Sequence, residues 1–523
     1  MEEEIQKTDI LIIGCGIAGA STALEAAKSG LKVVIITKND KLEESNTFYA
    51  QGGIVSLGPD DRPELLKEDI IQTGDGINNP KAVDILSTEG NKKVDSILIN
   101  ELDIPFMRSS PNSLDYAQEG GHSRRRILHV RDTTGKTIEE KFIAALKKYS
   151  NVTLLSGHTA VDLLTVPHHS KNPTSFYKES RCIGCYVLDN RSKKVKIFFA
   201  PYTILATGGC GAIYLYTSNP NGSIGDGYAM AYRAGARIVN MEYIQFHPTS
   251  LFHRDADGFL ISETLRGEGA RLKTKDGQTF MEKYSELKDL APRDEVTRAI
   301  YEEITNARSN YVCLDLASYA KIDIKKRFPH IFKTCLRYGI DMTKESIPVV
   351  PAAHYCCGGV LVDDWGRSSL SGLYAAGEVA CTGVHGANRL ASTSLLEGLV
   401  WGTRAAQHIA THFNPNVGYK VSEIHQWYYP EKQEETDPAL INQDWISIRS
   451  TMWNYAGIIR TPKRLERARA DLDYLRHRIE KFYREARMDA HVVGLKHGIQ
   501  VALLITYAAL GNPISRGSHY LKN

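Results

Sequence analysis

Residues 9–36 leave the N-terminal part of this chain little choice of fold. Asp9-Ile-Leu-Ile-Ile13 is a continuous apolar run, as a strand buried on both faces requires. Gly14-Cys15-Gly16-Ile17-Ala18-Gly19 follows without a spacer. Gly14 and Gly16 permit a tight turn and a close approach of backbone to a pyrophosphate, and Gly19 lets helix and strand pack closely. The helix through Lys28 then turns its positive end toward that pyrophosphate. A G-x-G-x-x-G alone is weak, but a strand before it and a helix after it specify a Rossmann-type dinucleotide unit. The second strand, Lys32-Val-Val-Ile-Ile36, ends in Thr37-Lys38, where NAD-binding units carry a ribose-reading acid. FAD is therefore expected ahead of a nicotinamide nucleotide.

Other glycine-rich segments fit the same ligand. Ser45-Asn46-Thr47-Phe48-Tyr49-Ala50-Gln51-Gly52-Gly53 is a small-residue loop placed to lie along a flavin. Ala160-Val161-Asp-Leu-Leu164 is strand-like, and residues 183–188 and 195–199 read as a hairpin turning at Asn190-Arg-Ser. Tyr202 to Gly209 is a strand ending in glycines. Gly225-Asp226-Gly227 opens a helix, with Asp226 either an N-cap, worth ~1 kcal/mol, or a cofactor contact. Gly372-Leu-Tyr-Ala-Ala-Gly-Glu378 has the strand, glycine and acid of a second FAD fingerprint. Ser392 to Gly398 opens a long helix whose N-terminus can face the flavin, with Ser394 and Glu397 at capping-box spacing. Lys38, Val161 and Leu395 complete the expected cofactor contacts.

Between about Asn240 and Val350 the doubly wound rhythm loosens, suggesting an inserted domain. From about Asp437 the chain is helical, with Thr461-Pro462 as a cap and Leu465, Ala468, Leu472, Leu475, Ile479 and Phe482 forming one apolar stripe. The expected fold is α/β with an α+β cap. A Rossmann-type FAD-binding domain (1–240 and 354–420) is interrupted by a capping domain (241–353) and followed by a helical bundle (430–523).

At 523 residues, several domains are expected. A net charge of +3 is too small to favour nucleic acid or an anionic membrane surface. Met1-Glu-Glu-Glu lacks the basic-then-apolar order of a signal peptide, and the apolar run Val501–Leu510 is about half of the ~20 residues a membrane helix needs. A cytoplasmic enzyme with no membrane partner is expected. Nine scattered cysteines suit a reducing compartment, and Cys182-x-x-Cys185 has no second pair to make a metal site.

Three segments carry residues that make poor core material. They are Ile261-Ser262-Glu263-Thr-Leu-Arg266-Gly-Glu-Gly269, Leu290-Ala-Pro-Arg293-Asp294 and Glu119-Gly-Gly-His-Ser-Arg-Arg-Arg126. They make sense where an anion is gripped and a proton moved. With Gln245-Phe-His247-Pro-Thr249, Pro351-Ala-Ala-His354-Tyr355 and His385-Gly-Ala-Asn-Arg389-Leu-Ala-Ser392, the chain resembles the succinate dehydrogenase/fumarate reductase flavoprotein family over nearly its whole length. A C4 dicarboxylate needs cations at both ends, and His247, His354, Arg293 and Arg389 are four candidate donors.

The resemblance implies more. His354 and Arg389 would hold one carboxylate, and His247 and Ser262, where the family has Thr, the other. Arg293 would handle the proton, with Glu263 and Arg266 as its relay. Respiratory members bond FAD covalently through a His that is Asn46 here, which implies non-covalent FAD. Glu119 resembles the carboxylate that meets the substrate ammonium in the members that oxidise L-aspartate to iminoaspartate, with oxygen or fumarate as acceptor. Such an activity opens NAD biosynthesis and couples functionally to quinolinate synthase. A soluble fumarate reductase or succinate dehydrogenase-type flavoprotein is the alternative.

Overall fold

The computed structural model describes residues 5–256, 258–319, 321–416, 418–431 and 433–522. Its central sheet has five strands, in the order Leu373–Ala375, Tyr202–Leu205, Ile10–Ile13, Val33–Ile36 and Val152–Leu155. Every neighbouring pair is parallel, which accounts for the unbroken apolar runs of the sequence. The helix Ile17–Lys28 crosses the helix Thr393–Thr411 at very close range. Gly402 makes this possible, because a Cβ there would lie 2.5 Å from the Ala18 carbonyl oxygen and 2.3 Å from Ser21 Oγ. Thr22 Oγ1 donates to the Gly402 carbonyl across the same contact at 3.1 Å. The crossing brings the N-terminus of the later helix to the glycine turn of the earlier one.

A second sheet lies in the order Ile5–Lys7, Lys194–Phe199, Arg181–Asp189 and His158–Val166. It contains the expected hairpin, whose turn is held by Asp189 Oδ1 accepting from the Arg191 and Ser192 amides. Cys182 and Cys185 are buried free thiols in its third strand.

The inserted segment forms a four-stranded antiparallel sheet ordered Ile244–Leu251, Ile347–Cys356, Val312–Asp315 and Arg271–Lys273. With the helices Arg293–Asn306 and Pro329–Arg337 it encloses its own apolar core, including Ile261, Leu265, Phe280, Val296, Ile300 and Ile331. The first and last of these strands in chain order pair directly, which makes neighbours of residues about a hundred positions apart.

Three helices close the chain: Pro438–Tyr455, Pro462–Glu485 and Ala490–Gly511. Leu465, Ala468, Leu472, Leu475 and Ile479 are buried along one face, and Thr461 Oγ1 caps that helix through the Arg464 amide at 3.2 Å. The last helix extends well beyond the apolar run seen in the sequence. It is long and apolar enough to cross a membrane, yet 72% of its most apolar window is buried inside the protein, as in a core helix.

Candidate active site

One cleft of about 1710 Å³, part of it open to solvent, joins the Rossmann turn to the arginines of the inserted segment. Gly14 to Ala18, Lys38, Asn46, Thr47, Tyr49 to Gly53, Asp226, Glu378, Ser394 and Leu395 line it. So do Glu119, His247, Ser262, Glu263, Arg293, His354 and Arg389. Gly19, Phe48, Val161 and Arg266 are not part of this wall. A Cβ on Gly19 would come within 2.1 Å of the Gly14 carbonyl oxygen, so Gly19 serves the helix–strand contact. Phe48 lies edge-on to Tyr49, and Val161 is buried in the apolar cluster of the second sheet.

The glycine turn is shaped for close approach. Gly14 has φ +111°, and a Cβ on it would sit 2.1 Å from the Ala206 carbonyl oxygen. Thr47 Oγ1 accepts from the Ile17 amide at 3.0 Å, which fixes the loop of residues 45–53 against the start of the first helix. Glu378 accepts from the Cys356 amide and from Asn46 Nδ2, both at 3.0 Å, and Asn46 Oδ1 accepts from Ser223 Oγ at 2.8 Å. Burial pushes the Glu378 carboxyl up to about 7, so near neutral pH it can donate a hydrogen bond as well as accept one. Buried Gln51 Oε1 and Thr207 Oγ1 have no protein partner. Such atoms cost roughly 1–3 kcal/mol each when unsatisfied, and a ligand rich in hydroxyl and imide groups, as FAD is, suits them.

The helix Thr393–Thr411 begins differently from its expected capping box. Ser392 is the residue before the helix, in the left-handed region at φ 56°, and its hydroxyl donates to Glu119 Oε2 at 2.6 Å. Ser394 Oγ instead accepts from Arg389 Nη1 at 3.1 Å. Glu397 is bound by Thr382, His385 and Tyr355 at 2.5, 3.0 and 3.0 Å, a tertiary network that outweighs any local cap.

Arg293 is the first residue of its helix, directly after Pro292. Its Nε donates to Glu263 Oε2 at 2.6 Å, Glu263 Oε1 lies 3.1 Å from Arg266 Nη2, and Arg266 Nη1 donates to the Asp289 carbonyl at 2.5 Å. Burial disfavours charge on Glu263, but Arg293 and Arg266 outweigh it and hold the carboxyl down to about 2. Burial lowers Arg266, with Glu263 opposing. The three side chains thus form a continuous polar line from the cleft into the inserted segment.

His247 and His354 face each other with ring centroids 5.3 Å apart. Burial and the surrounding arginines push both well below the usual imidazole range. Both shifts favour the neutral ring, which still offers one N–H as a donor. The Thr249 amide donates to His247 Nδ1 at 3.2 Å, which leaves the proton on Nε2. Ser218 Oγ lies 2.7 Å from His354 Nδ1. Ser262 Oγ bonds Thr264 Oγ1 at 3.0 Å.

Two further residues organise the arginines. Gln245 Oε1 accepts from Arg389 Nη2 at 3.1 Å and from Arg293 Nη1 at 3.4 Å, and its Nε2 donates to the Arg389 carbonyl at 2.8 Å. Its place two residues before His247 on one strand was the available signal. The Tyr355 ring lies under the Arg389 guanidinium, 4.6 Å away. Ser218 offered no signal, because it lies in a loop remote in sequence from His354.

Glu119 stands on a loop that is rigidly anchored. Asp69 Oδ2 accepts from the Ser123 amide and hydroxyl, both at 2.9 Å, and from Arg126 Nη1 at 2.6 Å. Arg126 also makes a forked contact to Asp61 at 2.7 and 3.1 Å, and its side chain is 0% exposed. Gly52 gives Glu119 its space, since a Cβ there would lie 2.6 Å from Glu119 Oε1. Arg126→Ala would leave two buried carboxylates uncompensated. We expect about 3–5 kcal/mol of lost stability, read as a lower midpoint in chemical denaturation.

Comparison with known proteins agrees with this layout. The pattern of an FAD binding domain matches residues 9–395, and that of a fumarate reductase flavoprotein C-terminal segment matches residues 446–523. The L-aspartate oxidase of Acinetobacter baylyi is 41% identical over 513 residues, covering 98% of this chain and 92% of that protein. The L-aspartate oxidase of Halobacterium salinarum is 40% identical over 518 residues, covering 98% and 96%. Among solved structures, an E. coli quinol fumarate reductase chain superposes with a TM-score of 0.88 at 26% identity, over 99% of this chain and 92% of that one. Identity near 40% along almost the full length, in a bacterium and an archaeon alike, decides the branch. The chain belongs to the L-aspartate oxidases, within the succinate dehydrogenase/fumarate reductase flavoprotein family.

Proposed function

We propose that the chain catalyses the FAD-dependent oxidation of L-aspartate to iminoaspartate, the first step toward quinolinate and NAD. The observation that carries this reading is the position of Glu119. A cleft furnished with Arg293, Arg389 and two imidazole donors suits any C4 dicarboxylate, whereas Glu119, which unlike Glu263 has no ion-pair partner among the described residues, suits a substrate that also brings a cation. Arg389 and His354 take one substrate carboxylate, and His247 and Ser262 the other. Glu119, held by Ser392, receives the ammonium group.

Oxidation removes hydrogen with two electrons from the carbon bearing nitrogen, and a proton is released as C–N becomes C=N. Arg293 relays that proton by handing one of its own from Nε to the Glu263 carboxylate as it takes the substrate's, and Arg266 is the next group in line. FAD, when bound, supplies the two-electron acceptor, with oxygen or fumarate as terminal oxidant. We assign it non-covalent attachment, because Asn46 has no nucleophilic ring nitrogen and both ends of its amide are held by Glu378 and Ser223. An imine hydrolyses readily in water, so we further propose rapid hand-over to a quinolinate synthase in the cytoplasm.

Anaerobic mixing tests the substrate directly. L-Aspartate should bleach the flavin absorption band, succinate should leave it, and fumarate should restore it after reduction. Bleaching by succinate and not by L-aspartate would overturn the assignment.

A further inference from the structure

His497 lies on the C-terminal helix Ala490–Gly511, is 0% exposed and is absent from the cleft wall, yet both its ring nitrogens are engaged. Nε2 is 3.1 Å from the Val161 carbonyl oxygen, and Nδ1 is 2.9 Å from Asp226 Oδ1. The other oxygen of Asp226 receives the Lys38 ammonium group. Although burial opposes it, Lys38 and His497 keep Asp226 ionised. An ionised carboxylate only accepts, so Nδ1 donates to it, and burial, which lowers the histidine against the pull of Asp226, favours a ring carrying that one proton. Asp226 and Lys38 both line the cleft, and the Arg233–Asp162 ion pair is close enough to the histidine to act on its charge.

The same helix presses on the turn that carries Asp226. A Cβ on Gly225 would meet Val501 Cγ2 at 2.8 Å, and one on Gly494 would meet Ile224 Cδ1 at 3.0 Å. Ser223, in that turn, holds Asn46, and Asn46 holds Glu378. Two cleft-facing groups on separate elements are thus fixed from one helix that never reaches the cleft.

We propose that His497 is a positioning residue for the cofactor, which makes the C-terminal helical segment a working part of the FAD site. It orients Asp226, and through Asp226 the Lys38 side chain. This holds whether or not L-aspartate is the substrate, since it concerns cofactor affinity alone.

Two near-isosteric substitutions separate the bonds. The amide nitrogen of Asn falls near the Nδ1 position of a histidine and that of Gln near Nε2. His497→Asn therefore keeps the bond to Asp226, and His497→Gln keeps only the bond to Val161. Apoprotein of each is titrated with FAD by flavin fluorescence, and the thermal midpoint of the apo form is measured in parallel. We expect His497→Asn to bind within about threefold of wild type and His497→Gln at least about tenfold more weakly, the size of one buried bond to a charged group. Wild-type affinity in His497→Gln, or equal weakening of both variants in step with their midpoints, overturns the proposal.

If His497→Gln does not fold, Asp226→Asn with His497 intact serves in its place. A comparable loss of FAD affinity supports the proposal, and unchanged affinity overturns it. Where both fold, adding His497→Gln to Asp226→Asn should weaken binding little further, and a full independent loss counts against action through Asp226.

Discussion

Arg293→Leu is expected to fold and to retain FAD while turning over L-aspartate about 10²–10⁴-fold more slowly than wild type, the range a positioned proton-transfer group contributes. The structure explains why so large an effect need not unfold the site. Glu263 keeps Arg266 at 3.1 Å, so no buried carboxylate is left without a cation. Arg389 keeps Gln245 and Ser394 as partners. Leucine is well tolerated after Pro292 at the start of a helix. What disappears is the only guanidinium that touches Glu263 from the cleft side among the described residues. Arg293→Lys returns the charge without the fork that contacts Glu263 and Gln245 together, and should recover only part of the loss. The measurements are kcat with L-aspartate and the spectral shift of bound flavin on adding a dicarboxylate. A near wild-type kcat in Arg293→Leu would remove this residue from the chemistry.

Local rules reached some parts of this site and not others. The strand, glycine turn and helix of residues 10–28 were legible because each step is local: an apolar run, glycines where backbones touch, then a helix. The apolar stripe from Leu465 to Ile479 and the hairpin at Asn190 were legible for the same reason. The sheet of the inserted segment was not, because Ile244–Leu251 pairs with Ile347–Cys356 and no short window contains both. The spacing of Ser394 and Glu397 matched a capping box by coincidence. Ser392 precedes the helix and turns its hydroxyl to Glu119, while Glu397 is recruited by Tyr355 and His385 from other elements. Charge state was equally invisible. Two histidines look like cations in the sequence, whereas burial and neighbouring arginines lower both toward the neutral form.

Glu119→Gln tests what separates an amino acid from a plain dicarboxylate. The substitution is nearly isosteric, the amide oxygen can still accept from Ser392, and the space over Gly52 is unchanged. Only the negative charge is lost. A hydrogen bond to a charged group is worth about 1.5–3 kcal/mol, so kcat/KM for L-aspartate should fall roughly 10- to 150-fold. Fumarate brings two carboxylates and no ammonium, and for it Glu119 is a repulsive neighbour. Its KM should hold or fall in the variant. The pH dependence supplies a second mark. Burial raises the Glu119 carboxyl above its ordinary value of 4.5, against the opposing pull of Arg293. As pH falls the carboxylate is therefore protonated early, the ammonium loses its partner, and kcat/KM for L-aspartate declines on the acid side. Glu119→Gln should lack that limb and show a flat, low profile there. Equal loss of L-aspartate oxidation and fumarate reduction would mean that Glu119 shapes the cleft without reading the ammonium group.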